Sequence, residues 1–199
     1  MKAQKNTKLM KGIAVGIVPL TALIVGYLNV PHPTSAAKER TNFKRTKVKS
    51  ALLEEAPKPN TSAKGIELGS KLRYLGANLP KKAVKPGDDV SLDFFFEVTD
   101  NLDRSWRMFL HIDPTSQGRR IHGDHHPVKS KYPTNLWQKG EKLVDKHLQR
   151  IPATAAPGRY TIWMGFYIGD ERLPITKGDK PNHDGSNRIR VGTLTIAQP

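Results

Sequence analysis

Val90-Ser91-Leu92-Asp93-Phe94-Phe95-Phe96-Glu97-Val98 decides the class of this fold. Apolar Val90, Leu92, Phe94, Phe96 and Val98 alternate with Ser91, Asp93, Phe95 and Glu97, and only Phe95 breaks the polar set. Successive side chains of a strand leave opposite faces, so a period of two marks a strand buried on one side. The same alternation recurs in Trp106, Met108, Leu110 and Ile112, again in Tyr160, Ile162, Met164, Phe166 and Ile168, and over residues 188–196. Weaker strand candidates are 66–75, 119–123, 142–151 and 172–176. Turn formers separate them: Pro86-Gly87-Asp88, Asp100-Asn101, Lys139-Gly140, Pro157-Gly158, Gly169-Asp170 and His183-Asp184-Gly185. No stretch after residue 65 keeps a helical period. Seven or eight short strands at this spacing predict an all-β, antiparallel, immunoglobulin-like β-sandwich over residues 65–199.

Upstream the pattern changes twice. Residues 12–30, GIAVGIVPLTALIVGYLNV, contain no charged residue and no histidine, and Lys2, Lys5, Lys8 and Lys11 of the basic flank 1–11 precede them. A helix of this length nearly spans a hydrocarbon core of ~30 Å. It predicts one N-terminal transmembrane helix, an uncleaved signal anchor. The competing reading is a signal peptide, since Ser35-Ala36-Ala37 offers small residues for cleavage after Ala37. Residues 31–64 read as a flexible basic linker punctuated by Pro31, Pro33, Pro57 and Pro59, with too few apolar residues to offset chain entropy.

The chain has 33 Lys+Arg against 18 Asp+Glu and no cysteine. Without cysteine there is no disulfide framework and no thiolate metal or redox site. The basic excess lies mostly outside the sandwich: residues 1–64 hold 12 basic and 3 acidic residues. With a membrane segment beside it, that excess points to anionic lipid or acidic envelope polymers and away from nucleic acid.

The middle of the domain carries a recognisable string. It runs Phe109-Leu110-His111-Ile112-Asp113, Gly118-Arg119-Arg120-Ile121-His122-Gly123-Asp124-His125-His126-Pro127, Tyr132-Pro133-Thr134, Trp137, Gly140-Glu141 and Asp145. It ends with Pro157-Gly158-Arg159-Tyr160, Gly165-Phe166-Tyr167 and Arg172-Leu173. The string resembles uncharacterised β-sandwich domains of bacterial envelope proteins, similar to those appended to some multi-pass membrane glycosyltransferases. The resemblance covers roughly residues 68–197. It implies an extracytoplasmic, non-catalytic module and brings no catalytic residues with it. Physically, Pro157-Gly158-x-Tyr160 reads as a tight turn feeding a strand. Trp137 reads as a core cap with its indole N–H satisfied, and Asp145 as an acceptor for backbone N–H groups of a nearby loop.

Two sets of residues are candidates for function. Phe95, Phe109, Trp163 and Tyr167 fall on the faces opposite the core pattern of their strands, where they could form a platform for sugars or a protein partner. A loop or the linker covering that face is the competing reading. His111 and Asp113, two apart on a strand, followed by His122, Asp124 and His125, are candidate ligands for a divalent metal, with Asp145 and His147 forming a similar pair. Polar loop residues that bond to backbone are the competing reading. Asp124 and Glu141 invite an acid–base pair, but two carboxylates alone specify no chemistry. No G-x-S-x-G elbow, P-loop or dinucleotide fingerprint is present.

Together these features predict a non-enzymatic binding or scaffolding module of the bacterial cell envelope that needs no cofactor. It is held in the inner membrane by residues 12–30, with its C-terminal domain in the periplasm or cell exterior, or secreted if cleaved after Ala37. Its expected partner is an envelope polysaccharide or another envelope protein. A carbohydrate-binding accessory module for polysaccharide synthesis or attachment is the first alternative, and a His/Asp metal-dependent enzyme the second.

Overall fold

A computed structural model describes residues 34–61 and 63–198. The anchor expected over 12–30 lies outside the described residues. No helix among the described residues is long and apolar enough to cross a membrane.

The domain is two antiparallel sheets packed face to face. The strands are β1 (Leu52–Leu53), β2 (Ile66–Leu68), β3 (Leu72–Asn78), β4 (Asp89–Val98), β5 (Arg107–Pro114), β6 (Ile121–His122), β7 (Lys142–Arg150), β8 (Gly158–Ile168), β9 (Glu171–Arg172), β10 (Ile175–Lys177) and β11 (Ile189–Ile196). One sheet has the order β1-β7-β4-β3-β2-β10. The other has the order β11-β8-β5-β6, with β9 paired to β8. β4, β5, β8 and β11 are the strands the alternation marked, while the long strands β3 and β7 fall within the weaker candidates 66–75 and 142–151. The 66–75 candidate divides at a turn through Gly69 and Ser70 into β2 and β3, which pair with each other.

The alternating residues meet between the sheets. Leu92, Phe94 and Phe96 of β4 face Met108, Leu110 and Ile112 of β5 and Tyr160, Ile162, Met164 and Phe166 of β8, all fully buried or nearly so. Phe96 meets Phe166 edge to face at 5.4 Å between ring centroids, and Trp137 closes one end against Phe166 at 6.4 Å. Each such side chain contributes about 1.5–3 kcal/mol on burial. Trp137 is wholly buried, and its indole N–H donates to Tyr132 O at 2.9 Å. Tyr160, buried two residues into β8, donates its hydroxyl to Ala156 O at 2.8 Å and ties the Pro157-Gly158 turn to the strand.

The stretch read as linker is built into the domain from Thr34 onward. Helix α1 (Ser35–Asn42) begins at Thr34, whose hydroxyl accepts from Ala37 N, and a 3₁₀ turn covers Arg45–Ala51 before β1 joins the edge of β7. Arg40 is buried and donates to Leu102 O at 2.8 Å and Asn135 O at 3.1 Å. Phe43 stacks on Tyr132 at 4.9 Å, and Arg45 pairs with Glu141 at 2.9 Å. Hydrophobic periodicity misses this segment because guanidinium groups and one aromatic ring do much of the docking, and the apolar residues that join them, Val48, Ala51 and Leu52, are too few to show a period. Further on, Pro59 lies over Gly76, where β3 bulges against β4 with φ of 121°.

The same loop explains much of the sequence string. Glu141 accepts from Tyr132 Oη, Gln138 N and Arg45 Nε, which leaves it no role as a free base. Thr134 is fully buried; its hydroxyl accepts from Trp106 N and donates to Arg104 O.

Arg40→Ala is expected to release residues 34–44 while the sandwich persists. Loss of hydrogen bonds from a charged donor costs about 1.5–3 kcal/mol. Limited trypsin digestion should then cut at Lys44 and Arg45 faster than in the parent chain. An unchanged digestion pattern would show that Arg40 does not hold the segment.

Candidate functional site

Strand register sorts the sequence-predicted residues. Phe109 is directly opposite Gly165, and His111 lies between Trp163 of β8 and His122 of β6. Tyr167 is opposite Arg107. Directly opposed residues share a face, so Phe109, His111, Trp163, Tyr167 and His122 all lie on the outer face of the β11-β8-β5-β6 sheet. Phe95 does not join them. It belongs to β4 in the other sheet, between Gly76 and Val144, and only 7 % of it is exposed. Period-two pattern gives the face of a strand but not its sheet, so the four aromatics form no single platform.

The three that share a face are already partnered. The guanidinium of Arg188 lies over the Trp163 ring at 4.7 Å, that of Arg172 over Phe109 at 4.9 Å, and that of Arg107 over Tyr167 at 5.4 Å. Phe109 is 3 % exposed despite facing outward. It lies across Gly165, where a Cβ would come within 2.4 Å of Phe109 Cζ. Beside it is a recess of about 240 Å³, lined by Phe109, His111, Asp124, Tyr167, Asp170 and Arg172 among others.

The metal candidates divide. β6 continues alongside β5 beyond His122: Gly123 N donates to Leu110 O, and Met108 and His125 exchange backbone hydrogen bonds. Alternation therefore persists through residue 125, with His122 and Asp124 outward and His125 inward. His111, His122 and Asp124 come together, with ligand atoms within 4.8 Å of one another. Asp124 also accepts from Leu110 N at 3.1 Å. Asp113, on the same face, is taken by two arginines: Arg120 grips both its oxygens and Arg188 reaches Oδ2 at 3.2 Å. Burial would raise the Asp113 carboxyl, but these guanidinium groups outweigh it and hold the pKa below the usual range. Burial, helped by the charge of Arg120, pushes the His111 imidazole down.

His125 belongs to a second cluster inside the sandwich edge. Its Nδ1 lies 2.6 Å from Gly123 O and its Nε2 2.7 Å from Asp145 Oδ2. Both partners are acceptors, an arrangement that favours the doubly protonated imidazolium over either neutral tautomer. Burial would lower its pKa, yet the Asp145 hydrogen bond and charge raise it. Asp145, 1 % exposed at its side chain, spends its other oxygen on Val128 N at 2.8 Å, as the sequence reading of a loop acceptor expected. That bond holds the start of an unusual turn, in which Val128, Lys129 and Ser130 all have φ between 52° and 62°. His147 stacks on His125 at 4.0 Å, and burial together with the His125 charge pushes its pKa down. The pair Asp145 and His147 thus braces a loop.

No protein-family model matches this chain, and no curated protein matches it significantly.

The inner cluster predicts a pH profile for stability. Folded His125 takes up its proton above the ordinary value of 6.5, before the unfolded chain does. Its contribution is absent at high pH, grows as pH falls through the folded pKa, and is complete below 6.5. His147 is held below 6.5, so under that pH the unfolded chain binds the proton first and stability declines. Urea midpoints should therefore crest near pH 6.5 on titration down from about pH 8. His125→Gln should remove the rise and keep the decline. A flat parent profile between those values would contradict the imidazolium assignment.

Proposed function

We propose that the chain is a membrane-anchored, extracytoplasmic binding module of the bacterial envelope, acting through the outer face of the β11-β8-β5-β6 sheet and not by catalysis. The observation that carries this reading is the recess beside Phe109. It is a concave, mostly polar recess on the outward side of a sheet, where the Asp124 and Asp170 carboxylates, the Arg172 guanidinium, the Tyr167 phenol and the His111 ring converge beside the largely covered Phe109 ring. At about 240 Å³ it suits one small polar unit of a larger ligand. Carboxylates, a guanidinium and a phenol together match the hydroxyl groups of a saccharide, so envelope polysaccharide is the ligand class.

Other features support the setting. β3, β4 and β7 facing β5, β8 and β11, with Val84 bridged in parallel to Ile196, follow the strand order of immunoglobulin-like sandwiches. The uncharged run 12–30 supports a single-pass inner-membrane anchor, with the domain in the periplasm or cell exterior. The resemblance to domains appended to membrane glycosyltransferases agrees with an envelope role.

The test is co-sedimentation of the full-length chain, held in detergent, with purified envelope polysaccharides at low and moderate salt. The expected result is binding that survives salt and weakens about three- to tenfold in Tyr167→Ala, the value of one aromatic contact. Binding abolished by salt would reflect only the basic surface and would defeat the saccharide reading. Absence of binding would defeat it too, leaving a protein partner to be sought by crosslinking.

A further inference from the structure

We propose that His111, His122 and Asp124 form a binding site for one divalent transition-metal ion of the zinc type. Two independent observations carry this. First, the donors converge: one ring nitrogen from each histidine and one carboxylate oxygen lie within 4.8 Å of one another. Tetrahedral zinc with bonds of ~2.0–2.1 Å would bring such donors to roughly 3.4 Å apart, a change that side-chain rotation supplies. Second, Nδ1 of His111 is shut off from solvent and has no hydrogen-bond partner. A buried polar atom left unpaired is costly, and a metal bound at Nδ1 itself would satisfy it.

The backbone preorganises the set. His111 and His122 are directly opposed in the β5–β6 ladder, and Asp124 follows on the same face two residues later. His111 and His122 stand on paired strands, and Asp124 is held just beyond them by the Met108–His125 bridge and its own bond from Leu110 N. Two imidazoles and one carboxylate make a donor set for zinc or a similar borderline ion, not for the oxygen-only preference of calcium or magnesium. The neighbouring positive charge is partly cancelled, since Arg120 is bound to Asp113. Arg172 is turned toward Ser186 O and the Phe109 ring.

Three protein donors leave a fourth position. His111 and Asp124 both line the recess beside Phe109, so that position opens toward it. The ion would there accept an oxygen from a small anionic or hydroxylated ligand. The site does not rest on the saccharide reading, because the metal alone tests it.

The full-length chain in detergent, stripped of metal by a chelator, is titrated with Zn²⁺ by calorimetry and separately with Co²⁺ by visible absorption. One equivalent of Zn²⁺ should bind saturably. His122→Ala and Asp124→Asn should each weaken it about tenfold or more, while His126→Ala leaves it unchanged. Co²⁺ should give the d–d bands of a four- or five-coordinate site, lost in His122→Ala. His122 and Asp124 are exposed, so these changes spare the core, and unaltered melting of each metal-free variant checks that. Absence of saturable binding up to about millimolar metal would overturn the proposal. So would binding that His122→Ala spares and His147→Ala abolishes, which would move the ion to the inner cluster.

Discussion

The carboxyl group of Asp145 lies where water does not reach, on the inward face of β7 directly opposite Phe94. Its oxygens need donors from the protein, and they receive one from His125 and one from Val128. Much of the domain edge follows from that demand. Holding His125 inward fixes the course of residues 121–125 along β5, and holding Val128 N fixes the left-handed turn after Pro127. Removing one member of such a buried pair costs about 3–5 kcal/mol, so this corner is a structural lock.

One short strand consequently serves two purposes. Its inward residues close the sandwich: Gly123 gives way to the Gln149 side chain, whose Oε1 would lie 2.1 Å from any Cβ there, and His125 meets Asp145. Its outward residues, His122 and Asp124, are left over from packing and stand beside His111 and the recess. The histidine-rich string thus resolves into residues that hold the edge and residues that face the ligand side.

The fold was legible wherever one sheet face is buried over many residues, as in β4, β5 and β8. It was less legible at β6, β9 and β10, which are too short to show a period. The docked segment 34–53 was not legible, because Arg40, Arg45 and Phe43 attach to backbone carbonyls, Glu141 and Tyr132, contacts that leave no pattern in sequence, and Val48 and Ala51 are too few to supply one. Of the site, Phe109, Trp163 and Tyr167 were placed on the correct face, while Phe95 required knowing which sheet β4 joins. Of the five metal candidates, His125 leaves the group because alternation continues past His122, and Asp113 because Arg120 and Arg188 hold its oxygens. The arginines over the aromatic rings had no signal, since Arg172 and Arg188 reach the face from a hairpin and a loop.

The capping of Trp163 by Arg188 has an optical consequence. Trp106 and Trp137 are shielded in the interior, at 5 % and 0 % exposure, whereas Trp163 is partly open to solvent on the outer face. Any molecule that displaces the guanidinium or orders water above that indole changes the polarity around one tryptophan and leaves the other two untouched. Intrinsic emission of the unlabelled chain therefore reports selectively on events at the face that carries the recess, with the interior pair serving as a constant background.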